Sequence, residues 1–363
     1  MKQKIRVIVG MSGGVDSSVT AAILKKRGYD VIGMTMQLLP KEEERISKCC
    51  NLSAVDDAKR VCAQLHIPHY TINSRQPFKD KVMTPFINSY LAGETPNPCV
   101  ECNRYIKFDE LYARAKDLGA TYIATGHYCK RTKSPDGTRY FLKKAKDHSK
   151  DQSYFLYMLR SEQLKYILFP LGNYQKSEIR DLALKYNFRN ASKPDSQEIC
   201  FVQGSYKDYV ESKLPEAPKP GPIITTDGKV LGQHQGIHAY TIGQRKRLGI
   251  SSPYPLYVQN ILPAQNTLVV GNANDITHTH IQLHQFSSVN KSENLILKTV
   301  DVKTRYQMSP FKATVTSIKN NTAVLKLLNA QNQVSPGQSA VLYHKDHVLG
   351  GGVIFQKRSE NSN

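Results

Sequence analysis

Acidic residues are scarce in this chain. Against 50 Lys and Arg stand 30 Asp and Glu, and the resulting net charge of +20 is spread along 363 residues, which argues for a polyanionic partner. Long apolar runs are missing too: none approaches the roughly 20 residues of a spanning helix. The amino terminus enters a strand-like segment almost at once, leaving no room for a signal or transit peptide. The expectation is a cytoplasmic protein without membrane association. Cysteine is sparse and irregular, and Cys49, Cys50, Cys62, Cys99, Cys102, Cys129 and Cys200 form an odd set unlike a disulfide framework. The single C-x-x-C, Cys99 to Cys102, has no matching second pair, which disfavours a four-sulfur zinc site. No internal repeat is present, nor any low-complexity tract before the polar tail after Lys357.

The length calls for two or three domains. Through the first half, apolar β-branched runs alternate with helix-period segments: strand 5–9, helix 17–27, strand 31–38, a helix from Ser53, strand 69–72, helix 108–118, strand 121–125. Such alternation predicts a parallel sheet covered by helices, with ligands at the carboxyl ends of its strands. Between residues 128 and 146 a hairpin folds about Ser134-Pro135-Asp136-Gly137 and carries seven cations, Lys130, Arg131, Lys133, Arg139, Lys143, Lys144 and Lys146, a pattern suited to phosphate. Helices are expected at 161–168 and 177–186. Four prolines in residues 214–222 mark a linker. Beyond it lie a small β-rich unit to about Asp275 and short strands at 296–304, 314–318, 323–328, 339–343 and 348–355, which read as a closed or nearly closed β-barrel. The expected domains are 1–213, 214–275 and 276–363.

The first strand runs into Gly10-Met11-Ser12-Gly13-Gly14-Val15-Asp16-Ser17-Ser18 and then a helix. Glycines let backbone approach a phosphate there, and the helix start supplies free N–H groups. The Lys-Ser or Lys-Thr pair that ends a Walker loop is missing, which disfavours γ-phosphate transfer. Asp16 offers a carboxylate for magnesium. The loop resembles that of the PP-loop ATP pyrophosphatases, which split ATP between its α- and β-phosphates to adenylate a substrate; amide-forming synthetases and RNA thiolases share it.

Cys99 and Cys102 lie in a loop opened by Asn97 and Pro98, and Cys200 ends Ser196-Gln197-Glu198-Ile199-Cys200. Redox or sulfur-transfer chemistry suits these thiols, since one thiolate can accept a sulfane sulfur and a second can resolve it as a disulfide. Cys62, Cys129, Cys49 and Cys50 read as buried small hydrophobes.

With the loop, residues 95–103, Ala124-Thr125-Gly126-His127-Tyr128, Lys150-Asp151-Gln152-Ser153-Tyr154-Phe155, residues 196–201 and 234–244, Arg305-Tyr306 and Pro336-Gly337-Gln338 in order along the sequence, the chain resembles the bacterial tRNA-specific 2-thiouridylases. The resemblance implies an α/β fold with a doubly wound, adenine nucleotide alpha hydrolase-like PP-loop domain, a small central β-rich domain and a C-terminal β-barrel. It implies a tRNA-uridine 2-sulfurtransferase that adenylates the C2 oxygen of the wobble uridine in tRNAs for Lys, Glu and Gln and replaces it with sulfur, releasing AMP and diphosphate. ATP would be held by Gly10, Met11, Ser12, Gly13, Gly14, Val15, Asp16, Ser17, Met36 and Gly126, and the flipped base by Asn97, Pro98 and Cys99. Cys200 matches the persulfide cysteine and Cys102 its partner. His127, Lys150, Asp151, Gln152, Arg305, Tyr306 and Gln338 match tRNA-contacting positions. A cysteine desulfurase or sulfur-relay protein is the implied donor, and a monomer is expected. Two departures stand out. Cys99 occupies a position where some members carry an Asp general base, which opens an iron–sulfur cluster on Cys99, Cys102 and Cys200 as an alternative; an amide-forming PP-loop ligase is another. Arg247 stands where Gly is usual.

Overall fold

The structure is a computed structural model that describes residues 4–40, 52–195, 199–272, 277–290, 294–332 and 334–355. Cys49, Cys50 and residues 196–198 lie outside these. The chain divides into two units, one of residues 1–83, 98–203 and 346–349, the other of residues 84–97, 204–345 and 350–363.

In the first unit the β-branched runs form β1 (Arg6–Gly10), β2 (Asp30–Gln37), β3 (His69–Asn73), β4 (Tyr122–Ala124), the hairpin β5 (Lys130–Lys133) and β6 (Tyr140–Lys143), and β7 (Ile167–Leu168). The main sheet has the order β3-β2-β1-β4-β7 and every pairing in it is parallel. Strand alternation makes it two-sided. Val7 and Val9 share a core with Val19, Ile23 and Ala22 of α1 (Val15–Lys26), Ala58, Val61 and Cys62 of α2 (Leu52–Gln64), and Ile179 and Ala183 of α4 (Lys176–Lys185). The opposite side is covered by α3 (Leu111–Asp117), whose Leu111 side chain lies against Gly10. Helices on both faces make the sheet doubly wound, as expected.

Three local expectations change. The helix placed at 108–118 is wound as a π-helix over Cys102–Glu110 before α3 begins. Buried Ile106 and Leu111 are five residues apart, a spacing that fits π winding and hides from a search for the α period. The helix placed at 161–168 stops after Ser161–Leu164, and Ile167 and Leu168 instead pair with Ile123 and Ala124 of β4. Helix α2 begins at Leu52, so Ser53 lies inside it.

In the second unit β8 (Gly221–Thr225), β9 (Val230–His234), β10 (Tyr257–Leu262) and β11 (Thr267–Gly271) form a sheet of order β10-β11-β8-β9 around Ile223, Val258, Leu268 and Val270. A six-stranded barrel follows, from β12 (His278–Ser288), β13 (Thr299–Lys303), β14 (Phe311–Lys319), β15 (Thr322–Gln331), β16 (Ser339–His344) and β17 (His347–Phe355), in the order β12-β15-β14-β13-β16-β17 and closed by β12 on β17. Sequence reading missed β12, although Ile281 and Leu283 are buried in alternation; its outward His and Gln residues mask the strand.

Candidate active site

In the parallel sheet the chain moves from β1 to β2 and β3 on one side and to β4 and β7 on the other. The crevice between the carboxyl ends of β1 and β4 is therefore the topological switch point, where α/β sheets bind ligands. The loop after β1 and Gly126 after β4 both open there.

The loop is held by its own hydroxyls. Ser12 N–H donates to Ser17 Oγ at 3.2 Å, and the Ser17 and Ser18 hydroxyls donate to Gly14 O at 3.1 and 2.9 Å. Gly14 starts α1 with no side-chain cap, so the first turn offers N–H groups to an anion. Glycine is obligatory at two points. Gly13 has φ +71° and a Cβ there would lie 2.3 Å from Ala54 O, while a Cβ on Gly126 would lie 2.9 Å from both Asp16 C and Ser17 N. Gly126 thus rests directly on the start of α1. Met36, half-buried, is the penultimate residue of β2, the strand next to β1.

Asp16 is not free. Lys176 Nζ lies 2.8 and 2.9 Å from its two carboxylate oxygens, and the Tyr128 hydroxyl donates to Oδ1 at 2.7 Å. Lys176 also reaches Asp195 at 2.8 Å, and Asp195 takes Lys150 at 2.9 Å and Arg180 at 3.1 Å. Burial would raise the Asp195 carboxyl, but the hydrogen bonds from Lys176 and Lys150 hold it below the usual range. With both oxygens of Asp16 engaged by an ammonium and a phenol, Asp16 does not fit the expected magnesium ligand. Asn190 secures the other side of the loop, its amide donating to Gly13 O at 3.0 Å and Ser18 Oγ at 2.9 Å. Lys176 and Asn190 lie far from the loop in sequence and carry no local pattern that would have selected them, whereas Tyr128 closes the Ala124-to-Tyr128 motif.

The thiols form a second centre in the same unit. Cys99 and Cys102 lie at the start of the helical run Pro98–Glu101 and Cys102–Glu110, and both feel the charge of Cys200. Cys102 is buried, Cys200 half-buried and Cys99 exposed, and none of the three is in a disulfide. Although Cys99 reaches solvent, the protein crowded around it pushes its thiol up to about 11, with Cys200 adding to the rise and Lys107 opposing it. Burial pushes Cys102 up to about 12, again against Lys107. Among the described residues no three His, Cys, Asp or Glu side chains are grouped so as to hold a metal ion, so the three thiols as placed do not fit an iron–sulfur cluster. Cys62 and Cys129 are buried, as read from the sequence.

Gly126 and His127 link the two centres. Gly126 touches the start of α1, and the next ring, His127, packs 5.8 Å from Phe108 of the thiol-bearing helix. His127 is buried, shares a 2.7 Å hydrogen bond with Thr125 Oγ1, and is held neutral by burial and by Lys107.

The other expected tRNA positions are also engaged locally. Asp151 accepts from Ala145 N and Ser153 Oγ, and Gln152 Oε1 accepts from Tyr128 N at 2.9 Å. In the second unit, exposed Arg305 donates to Ser335 Oγ at 3.3 Å and lines an open depression of about 510 Å³ with Gln307, Met308, Ser309 and Gln331; Tyr306 beside it is half-buried. Gln338 Nε2 donates to Thr95 O at 2.9 Å, two residues before Asn97, and Thr95 N–H donates to Pro336 O. Pro98 is buried. No helix among the described residues is long and apolar enough to cross a membrane.

A glycine loop and helix start at the switch point of a doubly wound sheet, followed by two β units, define a nucleotide-binding α/β protein. Residues 5–204 match the tRNA methyl transferase HUP domain family, residues 207–272 the tRNA methyl transferase PRC-barrel domain, and residues 278–354 the Aminomethyltransferase beta-barrel domain. The tRNA-specific 2-thiouridylase MnmA 1 of Caldanaerobacter subterraneus subsp. tengcongensis is 46% identical over 364 residues, covering 98% of this chain and 100% of that protein. The tRNA-specific 2-thiouridylase MnmA of Clostridium perfringens is 45% identical over 357 residues, covering 97% and 98%. The chain belongs to the tRNA-specific 2-thiouridylase family.

Proposed function

We propose that this chain is a tRNA-uridine 2-sulfurtransferase that converts the wobble uridine of tRNAs for Lys, Glu and Gln to 2-thiouridine at the expense of ATP. In the first step the uridine C2 oxygen attacks the α-phosphorus of ATP and diphosphate leaves. In the second, sulfur from a persulfide on Cys200 adds to C2, and AMP departs with the original oxygen. Cys102 thiolate attacks Sγ of Cys200, either after the outer sulfur has bonded to C2 or before, releasing it as hydrosulfide. Both routes end in a Cys102–Cys200 disulfide that an external thiol reduces.

The observation that carries this reading is the Gly126-His127 step, one residue resting on the nucleotide loop and the next on the thiol-bearing helix. An adenylated base in that crevice would meet both chemistries, as the reaction requires. Gly10 to Ser17, Met36 and Gly126 would bind ATP, and Asn97, Pro98 and Cys99 the extruded base. Magnesium enters only as the counter-ion of the ATP phosphates. Lys150, Gln152, Arg305, Tyr306 and Gln338 would meet tRNA, while buried His127 and Asp151 would hold the neighbouring backbone in place. The net charge of +20 suits a tRNA partner, the donor would be a desulfurase or relay protein, and the enzyme would work in the cytoplasm.

The test is purified protein with ATP, magnesium, tRNA and a persulfide donor, read by mass spectrometry of the tRNA. The wild type should form 2-thiouridine, and Cys200→Ser should lose it while keeping tRNA-stimulated diphosphate release. Full thiolation by Cys200→Ser would overturn the reading.

A further inference from the structure

The helix that bears Cys102 is wound unusually. Residues Cys102–Glu110 form a π-helix, and at its end Leu111 N–H reaches back to Ile106 O, a step of five residues. Extended π winding is rare and collects at functional sites. Its consequence is geometric: a residue five positions on shares a face with the first, as one four positions on does in an α-helix. Lys107 is therefore turned onto the Cys102 face, whereas α-helical winding would carry it well away. Its neighbour Phe108 is buried and packs on His127, which fixes the turn. The ammonium so placed is felt at Cys99, Cys102 and His127. Among the described residues it is the one charge that opposes burial at both thiols.

We propose that Lys107 is a positioning residue of the thiol centre, held on the Cys102 face by the π-helical turn so that its ammonium stabilises sulfur anions at Cys102 and Cys99. A thiolate in a desolvated site needs such a partner. In the reaction, Cys102 gives its proton to solvent and its sulfur lone pair forms the bond to Cys200 Sγ. The bond from Cys200 Sγ to the outer sulfur breaks, and its electron pair leaves with that sulfur; Cys102 is oxidised to the disulfide and the sulfane sulfur is reduced. Lys107 loses no proton in this step. Its charge lowers the cost of the thiolate and keeps His127 neutral beside it. The role rests on the sulfur-transfer reading, but the placement of the charge does not.

Exposed Cys99 is the reporter. Peptide-resolved alkylation by iodoacetamide, followed from neutral pH into the alkaline range without ATP, tRNA or persulfide, compares wild type with Lys107→Met, Lys107→Gln and Lys107→Arg. Loss of the charge should slow Cys99 alkylation about tenfold at any pH below the midpoint and displace the profile upward by about one unit, while Lys107→Arg should overlay the wild type. If Lys107→Met is poorly folded by urea unfolding, Lys107→Gln, which keeps a long polar side chain, gives the same comparison. Profiles for Met and Gln that coincide with the wild type would overturn the proposal. Because no substrate enters the assay, that result is separate from any failure of tRNA thiolation.

Discussion

Lys176 Nζ bridges Asp16 of the nucleotide loop and Asp195, 2.8 Å from each, although 160 residues separate Lys176 from Asp16. Asp195 lies five residues before Cys200 in the sequence, so one buried ammonium ties the loop that would bind ATP to the chain leading into the sulfur-bearing cysteine. Removing it leaves Asp16 with only the Tyr128 hydroxyl as a partner, while Asp195 keeps Lys150 and Arg180. Lys176→Met should cost about 2 kcal/mol, below the roughly 3–5 kcal/mol of a fully buried pair because Asp16 is partly exposed. The double variant Asp16→Asn with Lys176→Met should be more stable than the two single losses added together. Urea unfolding of all three proteins checks this, and strict additivity would show that the pair is not coupled.

Gly126 sets how closely β4 can approach α1. A methyl group there would press on backbone atoms of Asp16 and Ser17 at 2.9 Å, and backbone cannot swing aside as a side-chain tip can. Gly126→Ala should displace the first turn of α1 and lower ATP-dependent diphosphate release about 100-fold, the scale of a misplacement near one ångström at a reacting centre. Wild-type turnover by this variant, measured with saturating tRNA, would refute the contact.

Gln338 acts through a single polarity. Its Nε2 donates to Thr95 O at 2.9 Å while Gly337, at φ +87°, leaves room for the Thr95 backbone. Gln338→Ala should cost about 1 kcal/mol for the lost hydrogen bond. Gln338→Glu should cost more, because a carboxylate would face a carbonyl oxygen. Thermal unfolding should therefore rank wild type above Ala and Ala above Glu, and equal stability of Glu and wild type would mean that the amide is not the donor.

These contacts show which parts of the molecule were legible beforehand. The β1–loop–α1 unit was readable because its determinants are local: apolar alternation, a glycine run, then helical spacing. The barrel was readable where strands alternate cleanly, and β12 was lost because His278, His280, Gln282 and His284 give it a polar outer face. The site was legible at its cysteines and glycines, which are chemically conspicuous. Lys176, Asn190 and Lys107 were not, since an isolated Lys or Asn acquires meaning only from the residues that folding brings to it. Lys150 illustrates the reverse: sequence marks it as a cation, and only the fold shows that it pairs with Asp195.

Arg247, at a position where the family resemblance leads one to expect Gly, has φ +63°. An L-residue in the left-handed region is strained by roughly 1–2 kcal/mol, and glycine is not. Arg247 is exposed, so no packing is lost on substitution. Arg247→Gly should stabilise the protein by about 1 kcal/mol in urea unfolding. If the guanidinium contacts a tRNA phosphate, the same change should reduce the slope of log affinity against log salt by about one. A variant that is less stable than the wild type would show that the side chain is held by something other than the turn.

Acid should unfold this protein through its histidines before its carboxylates matter. Burial holds His69, His127, His234, His278 and His284 below the ordinary value of 6.5, with His127 the furthest displaced. Below pH 6.5 the unfolded chain binds protons that these folded rings refuse, so stability is fully present above 6.5 and falls as pH drops through it. His127→Gln removes a ring that burial holds well below its ordinary value and should flatten that acid limb while lowering stability at neutral pH, because the bond to Thr125 and the packing on Phe108 are lost. Urea unfolding at about pH 7 and about pH 5 measures both effects. An unchanged pH slope in the variant would mean that His127 is not the ring resisting protonation.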